Sequence, residues 1–250
     1  MKTITAALDI LNCFTLDNHG QGVSEIARKL GMHKSKVSRI LSTYENQGVV
    51  IKSQNTQKYH LGPKIMEWAA IVLRQGDLRT RALPHMEELR SKTQESVNLY
   101  IAQGDYRICI ERLESPQGIR MVSHIGEPVP LHAGAAGKLL LAYFTDEKRR
   151  AVLERVQLSK IAANTITNRE DLETELKKIA QQGFAISFQE MVPLAASIAA
   201  PIRNFYGEVI AALTVGGPVM RFTPQKVDSY ARALRETADR ISRESGYRLI

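Results

Sequence analysis

Cysteine is almost missing from this 250-residue chain, which has only Cys13 and Cys109. Neither has a second Cys or a His at metal-ligand spacing. That argues against a zinc site and a disulfide framework, and it reads as two buried thiols in a reducing compartment. No stretch approaches the roughly 18 uninterrupted apolar residues of a membrane-spanning helix, and the N-terminus has no basic segment leading into an apolar run. The expectation is a cytoplasmic protein with no membrane partner, metal or cofactor. Enzyme signatures are lacking too: there is no Gly-x-Ser-x-Gly elbow, His-Glu-x-x-His, Gly-x-x-x-x-Gly-Lys-Ser/Thr loop or dinucleotide fingerprint. Lys138 follows Gly137 as in a phosphate loop, but the first glycine is misplaced and Leu139 stands where a hydroxyl is needed. His85, His124 and His132, with Ser123 and Cys109, show no catalytic spacing, and each His reads as a hydrogen-bonded structural residue. An enzyme acting through the C-terminal part stays as the rival class. The single Trp, Trp68, lies in the apolar run from Ile65 to Leu73 and reads as an interface or core anchor.

What is present is a basic balance with an uneven distribution. The chain holds 34 Lys+Arg against 26 Asp+Glu, and residues 1–62 alone hold 8 against 4. A quarter of the length therefore carries half of the +8 surplus, which favours a polyanionic partner. With 44% apolar and 24% charged residues the composition is that of a globular chain, and the length predicts two domains.

Apolar periodicity predicts the N-terminal elements. Ala7, Leu8, Leu11 and Phe14 recur at helical spacing from about Thr3 to Leu16, and Asp17, Asn18 and Gly20 supply turn chemistry. Ser24 can cap a second helix whose Ile26, Ala27 and Leu30 face inward and which stops at Gly31. In a third helix Val37, Ile40, Leu41 and Tyr44 commit one face to the core. His33 is a poor cap for it. Gly48 ends it, and the runs 49–52 and 58–61 form a hairpin with Val50 and Tyr59 as core contacts. Helix, helix, turn, helix and hairpin predict a winged helix-turn-helix.

The outward face of the third helix carries Lys34, Ser35, Lys36, Ser38, Arg39 and Ser42, all cations or hydroxyls. A helix of this diameter fits the major groove of double-stranded DNA. Arg39 is the candidate for base readout, since a guanidinium fork can bond both acceptors of a guanine. Lys34, Lys36 and the wing's Lys58 suit phosphates, and Ser35 and Ser38 reach either. A solvated face, or a winged helix used for protein contacts, is the alternative.

The remainder predicts an α+β domain. Residues 96–103, 106–113 and 119–126 read as strands, 134–144, 145–156 and 169–182 as helices, and 185–188, 196–203 and 209–215 as further strands. A long helix then opens at Thr223-Pro224 and closes at Gly246. Small residues from Ala133 to Gly137 suit a ligand approaching backbone amides at a helix start, which would favour a carboxylate. They equally suit close packing of helix on sheet.

Residues 23–62 resemble the DNA-binding domain of the IclR family of bacterial transcriptional regulators. The similarity continues through IVLRQGDLRTRALPHMEELRSKTQESVNLYI, VPLHAGAAGKLLLA (129–142), NTIT (164–167) and residues 183–218, in the family's order. The resemblance implies an N-terminal winged helix-turn-helix (1–62), a linker helix (63–77) and a GAF-like mixed α/β effector-binding domain (78–250). It also implies dimers, often paired into tetramers, on near-palindromic operators. Carried over position by position, the family's effector site falls on Met121, Ala135, Ala136, Ser187, Ser197, Thr214 and Gly216.

This chain departs from the family pattern within that site. Many relatives have an acidic residue at Ser187, a Gly-Val/Leu-Arg-Cys/Ser stretch at Leu194-Ala195-Ala196-Ser197, and Ser at Gly216. The loss of polar groups points to a small organic acid more apolar than a sugar acid, such as an aromatic carboxylate, or to a degraded site. Ile65, Met66, Ala69, Val72 and Leu73 form an apolar stripe that predicts pairing of the linker helix with its copy. The expected function is a repressor of a catabolic operon, with an activator of the same type as the alternative.

Overall fold

A computed structural model describes residues 2–15, 18–75 and 77–247. The chain divides into two compact units, Met1–Gln75 and Gly76–Ile250. The readings for Leu16 and Asp17, and for the side chains of Val72 and Leu73, fall outside the described residues.

The first unit is built from α1 (Lys2–Leu11), α2 (Val23–Leu30), α3 (Lys34–Asn46), the hairpin β1 (Val50–Lys52) and β2 (Tyr59–Leu61), and α4 (Pro63–Gln75). Its core joins Ala6, Ile10, Phe14, Ile26, Val37, Leu41, Val50 and Tyr59. Helix α1 stops earlier than its apolar spacing predicts, because Thr15 and Asn18 exchange backbone hydrogen bonds of 3.2 Å and turn Cys13 and Phe14 into the core. The buried stripe also shifts: Ala6 and Ile10 face inward, while Leu8 is 56% and Ile4 70% exposed. Ser24 does not cap α2. Gly22 holds the N-cap position and Glu25 reaches back, its Oε2 accepting the Gly22 N–H at 2.8 Å. His33 precedes α3 with no side-chain cap, as its chemistry predicts. Gln21 ties the hairpin to the helices, pairing with Tyr59 through backbone bonds of 2.9 Å while its Nε2 donates to Cys13 O at 2.9 Å.

The second unit runs α5 (Asp77–Thr93), β3 (Ser96–Gln103), β4 (Tyr106–Leu113), β5 (Pro128–Pro130), α6 (Ala135–Ala142), α7 (Asp146–Arg155), α8 (Arg169–Gln182), β6 (Ala185–Phe188), β7 (Ala195–Arg203), β8 (Val209–Pro218) and α9 (Pro224–Glu244). The strands form one antiparallel sheet in the order β5-β4-β3-β8-β7-β6. Alternation along the strands serves two cores. Val97, Leu99, Ile198, Leu213 and Val215 pack towards α5 and α9. On the opposite face Tyr100, Ala199 and Ala212 pack with Leu139, Leu141, Leu172 and Ile179 of α6 and α8.

One predicted strand is absent. Residues 119–126 form a covering segment whose sole ladder contact is a bridge between Ile125 and Cys109. The edge of β4 is instead taken by β5, which pairs with residues 106–108. Ile119, Val122 and Ile125 are consequently exposed, and Met121 turns inward over the sheet.

Candidate functional site

Two surfaces of opposite character carry the candidate residues, one in each unit. On α3, Val37, Ile40 and Leu41 are buried, which leaves Lys34, Ser35, Ser38, Arg39 and Ser42 exposed and Lys36 half-exposed. Among the described ion pairs none involves Lys34, Lys36 or Arg39, so these cations face solvent uncompensated. Lys58 differs from them. Its Nζ lies 3.0 Å from Glu25 Oε1, the carboxylate that also caps α2. The Gly22 N–H and Lys58 together hold the Glu25 carboxyl below the usual carboxylate range.

The second surface is a cavity of about 170 Å³ between the sheet, the start of α6 and the covering segment. Strand register sets the sheet residues beneath it. Ser187 stands opposite Ser197, Ser197 opposite Gly216 and Gly216 opposite Ser96, so one row of small residues crosses β6, β7, β8 and β3. The next row contributes Thr214. Met121, Ala135, Ala136, Ser187, Ser197 and Thr214 all line this space. Gly216 does not. It lies behind Met121, where a Cβ would stand 3.0 Å from the Met121 Cε, so its smallness makes room for that thioether. Gly137 has a similar role beneath α6, where a Cβ would lie 2.7 Å from Arg107 Nη1.

The amides at the start of α6 are not all open. Glu190 Oε2 accepts the Gly134 N–H at 3.0 Å, and its other oxygen lies 2.6 Å from Lys138 Nζ. Lys138 also meets Glu175 Oε1 and Ile186 O, each at 2.9 Å. It is a buried staple joining α6, α8 and the strand β6, and its single positive charge sits between two carboxylates. Cys109 is buried beside the cavity with its thiol pushed up to about 11, so it is protonated at neutral pH and a poor nucleophile. Ser123 is engaged by Tyr100, oxygen to oxygen at 2.8 Å, and His132 Nε2 lies 3.0 Å from Ser159 O. No described group of three or more His, Cys, Asp or Glu side chains could hold a metal, and no described helix is long and apolar enough to cross a membrane.

Two family models match the chain, the IclR helix-turn-helix domain over residues 3–52 and the bacterial transcriptional regulator IclR C-terminal domain over residues 70–243. The chain belongs to the IclR family of bacterial transcriptional regulators. It is 32% identical to the regulator KipR of Bacillus subtilis (strain 168) over 246 residues, covering 98% of each chain. The IclR structure of Thermotoga maritima is 32% identical, with a TM-score of 0.75 and coverage of 99% of this chain and 100% of that one. An IclR homologue from Microbacterium hydrocarbonoxydans, solved in complex with 4-hydroxybenzoate, is 27% identical, with a TM-score of 0.84 and coverage of 97% and 98%. The shared fold makes this chain a helix-turn-helix DNA-binding transcriptional regulator with a mixed α+β C-terminal unit.

Sequence reasoning on this IclR-family chain did not single out Tyr100, Arg107 or Glu190, all of which line the cavity. A signal existed for one of them. Arg107 shares the buried face of β4 with Cys109 and Glu111, where a cation facing the core needs a reason.

Proposed function

We propose that this protein is a ligand-modulated repressor of a catabolic operon, and that the ligand is a small, largely apolar organic acid, an aromatic carboxylate fitting best. The observation that carries the reading is the cavity, lined by Met121, Ala135, Ala136, Ser187, Ser197 and Thr214 and of a size for one ring. An engineered apolar cavity of roughly 150 Å³ accepts benzene, so about 170 Å³ suits a substituted ring. The hydroxyls of Ser187, Ser197 and Thr214 sit together on the sheet side while Met121, Val129, Ala135, Ala136 and Met191 line the rest, which suits an apolar acid with one polar end better than a polyhydroxylated one. The ligand-bound relative from Microbacterium, with its single-ring acid, supports the same class.

The exposed α3 face supports operator reading by Lys34, Ser35, Lys36, Ser38 and Arg39, with Lys58 on a phosphate. Partnering through the first unit is supported by apolar side chains left in water: Met66 is 72%, Ile71 52% and Trp68 46% exposed on α4, besides Ile4 and Leu8 on α1. A two-fold pair would set two recognition helices on successive turns of a near-palindromic site, and effector domains could pair such dimers into tetramers. The acid acts by binding one arrangement of the pair more tightly, with the linker helix carrying the difference to α3.

Sedimentation at micromolar protein is expected to give a dimer or tetramer. A stable monomer would remove the paired-operator mechanism. Selection of genomic fragments at low ionic strength should retain a small set released by the acid. Retention of no fragment, with or without metabolites, would overturn the regulator reading, retention strengthened by the acid would overturn release by the ligand, and operators lying upstream of the promoter rather than across it would favour an activator.

A further inference from the structure

Arg107 is 7% exposed, yet none of the described ion pairs includes it. A cation taken out of water without an anion loses more hydration than neutral hydrogen bonds restore. Its Nη1 donates to the carbonyls of Pro130 at 3.0 Å and Ala133 at 2.5 Å, and its guanidinium carbon lies 5.5 Å from the Tyr100 ring centroid. Its Nε is buried with no acceptor. Burial pushes the guanidinium pKa down, and the nearby Tyr100, Glu190, Cys109 and Glu127 offset only part of that cost. The two carboxylates lining the same cavity act on Arg107 through space but make no described ion pair with it. Glu190 is committed to Lys138 and to the Gly134 amide, and Glu127 makes no ion pair with Arg107.

We infer that Arg107 is the anion anchor of the cavity, and that its guanidinium takes the carboxylate of a single-ring monocarboxylic acid. The inference rests on the ligand role proposed above for that cavity and adds the residue that fixes the ligand's orientation. Nη1 already serves two carbonyls, so the edge left for a carboxylate is Nε and Nη2, neither of which has a described acceptor. With the acid head on Arg107, the ring lies among Met121, Val129, Ala135 and Met191, and a polar substituent can reach the Tyr100–Ser123 hydroxyl pair. A neutral amide of the same shape would leave the cation as unpaired as before, so charge rather than bulk sets the preference.

The test is calorimetric titration of the full-length protein with benzoate, 4-hydroxybenzoate and cyclohexanecarboxylate, each beside its amide, in the wild type, Arg107→Gln and Arg107→Lys. Wild type should bind at least one acid and prefer it to its amide. Arg107→Gln should weaken that acid roughly 10-fold to 150-fold, the range of a charged hydrogen bond, and bring acid and amide together. Arg107→Lys should recover part of the affinity. A strut role for Arg107 would lower the urea midpoint and leave the acid-to-amide ratio unchanged, which would overturn the anchor and keep the cavity as a binding site. Absence of binding by every compound in the wild type would overturn the ligand reading of the cavity and the anchor with it. Should Arg107→Gln fail to fold, the Arg107 Nε–H resonance of the wild type decides. It should move on adding an acid that binds and stay in place with the amide, and a resonance unmoved by a bound acid would sink the inference.

Discussion

Lys138→Met is expected to lower the stability of the second unit by about 3–5 kcal/mol, the cost of breaking a buried ion pair by removing one partner. Lys138 is 2% exposed and sits between Glu190 at 2.6 Å and Glu175 at 2.9 Å, so its loss strands two carboxylates on one buried spot. Methionine keeps the apolar stem and the volume, which assigns the loss to charge rather than to a cavity. Urea unfolding followed by circular dichroism measures it. The double variant with Glu190→Gln should recover part of the deficit, because one of the stranded charges is then gone. Glu175→Gln should cost much less than Lys138→Met, since the Glu175 side chain is 22% exposed and water can solvate what remains. A deficit under about 1 kcal/mol for Lys138→Met would mean that solvent reaches the triad and that it does not hold α6 in place.

That staple also marks the limit of what the residues alone disclose. Elements fixed by local chemistry were legible: residues 96–103, 106–113 and 185–188 are the strands β3, β4 and β6, and 169–182 is the helix α8, with Asn168 accepting from the Glu170 and Asp171 amides and Gly183 closing it. The winged helix-turn-helix and its exposed cationic face followed from apolar period and the glycine stop at Gly31. Long-range competition was not legible. Residues 119–126 have the alternation of a strand, but β5 takes the 106–108 end of the β4 edge, and the segment keeps one bridge to Cys109 while Met121 and Val122 line a cavity. Ser24 has the chemistry of a cap, but Gly22 holds that position and Glu25 satisfies it, its carboxylate accepting the Gly22 N–H while bonding Lys58 from the wing. Of the effector positions carried over by family resemblance, Met121, Ala135, Ala136, Ser187, Ser197 and Thr214 converge on one cavity, and Gly216 stands one layer behind. Arg107, Glu190 and Lys138 meet only through the folded sheet, and their relevance is that each is a charge placed where an apolar residue would be the default.

Arg39→Ala is expected to weaken binding to the cognate operator by about 1–3 kcal/mol per half-site, or about 2–6 kcal/mol for a two-fold pair, since distant sites add. Arg39 is exposed on α3 with no described carboxylate in ion-pair reach, so the free protein makes no interaction that this substitution would also remove. The whole loss therefore falls on the complex, and the fold should be unaffected. Base preference should relax at the position Arg39 reads, because a fork on a guanine is lost and no phosphate contact changes. Lys58→Ala provides the contrast. In the free protein Lys58 is paired with Glu25 at 3.0 Å, and an exposed, solvent-screened pair of this kind contributes little, so little opposes its transfer to a phosphate. Its removal should weaken all DNA alike and flatten the dependence of log K on log salt by about 1 per half-site. Titrations of cognate and scrambled duplexes across a salt series separate the two effects. Equal loss on both duplexes for Arg39→Ala would place Arg39 on the phosphate backbone and leave α3 without its base-reading residue.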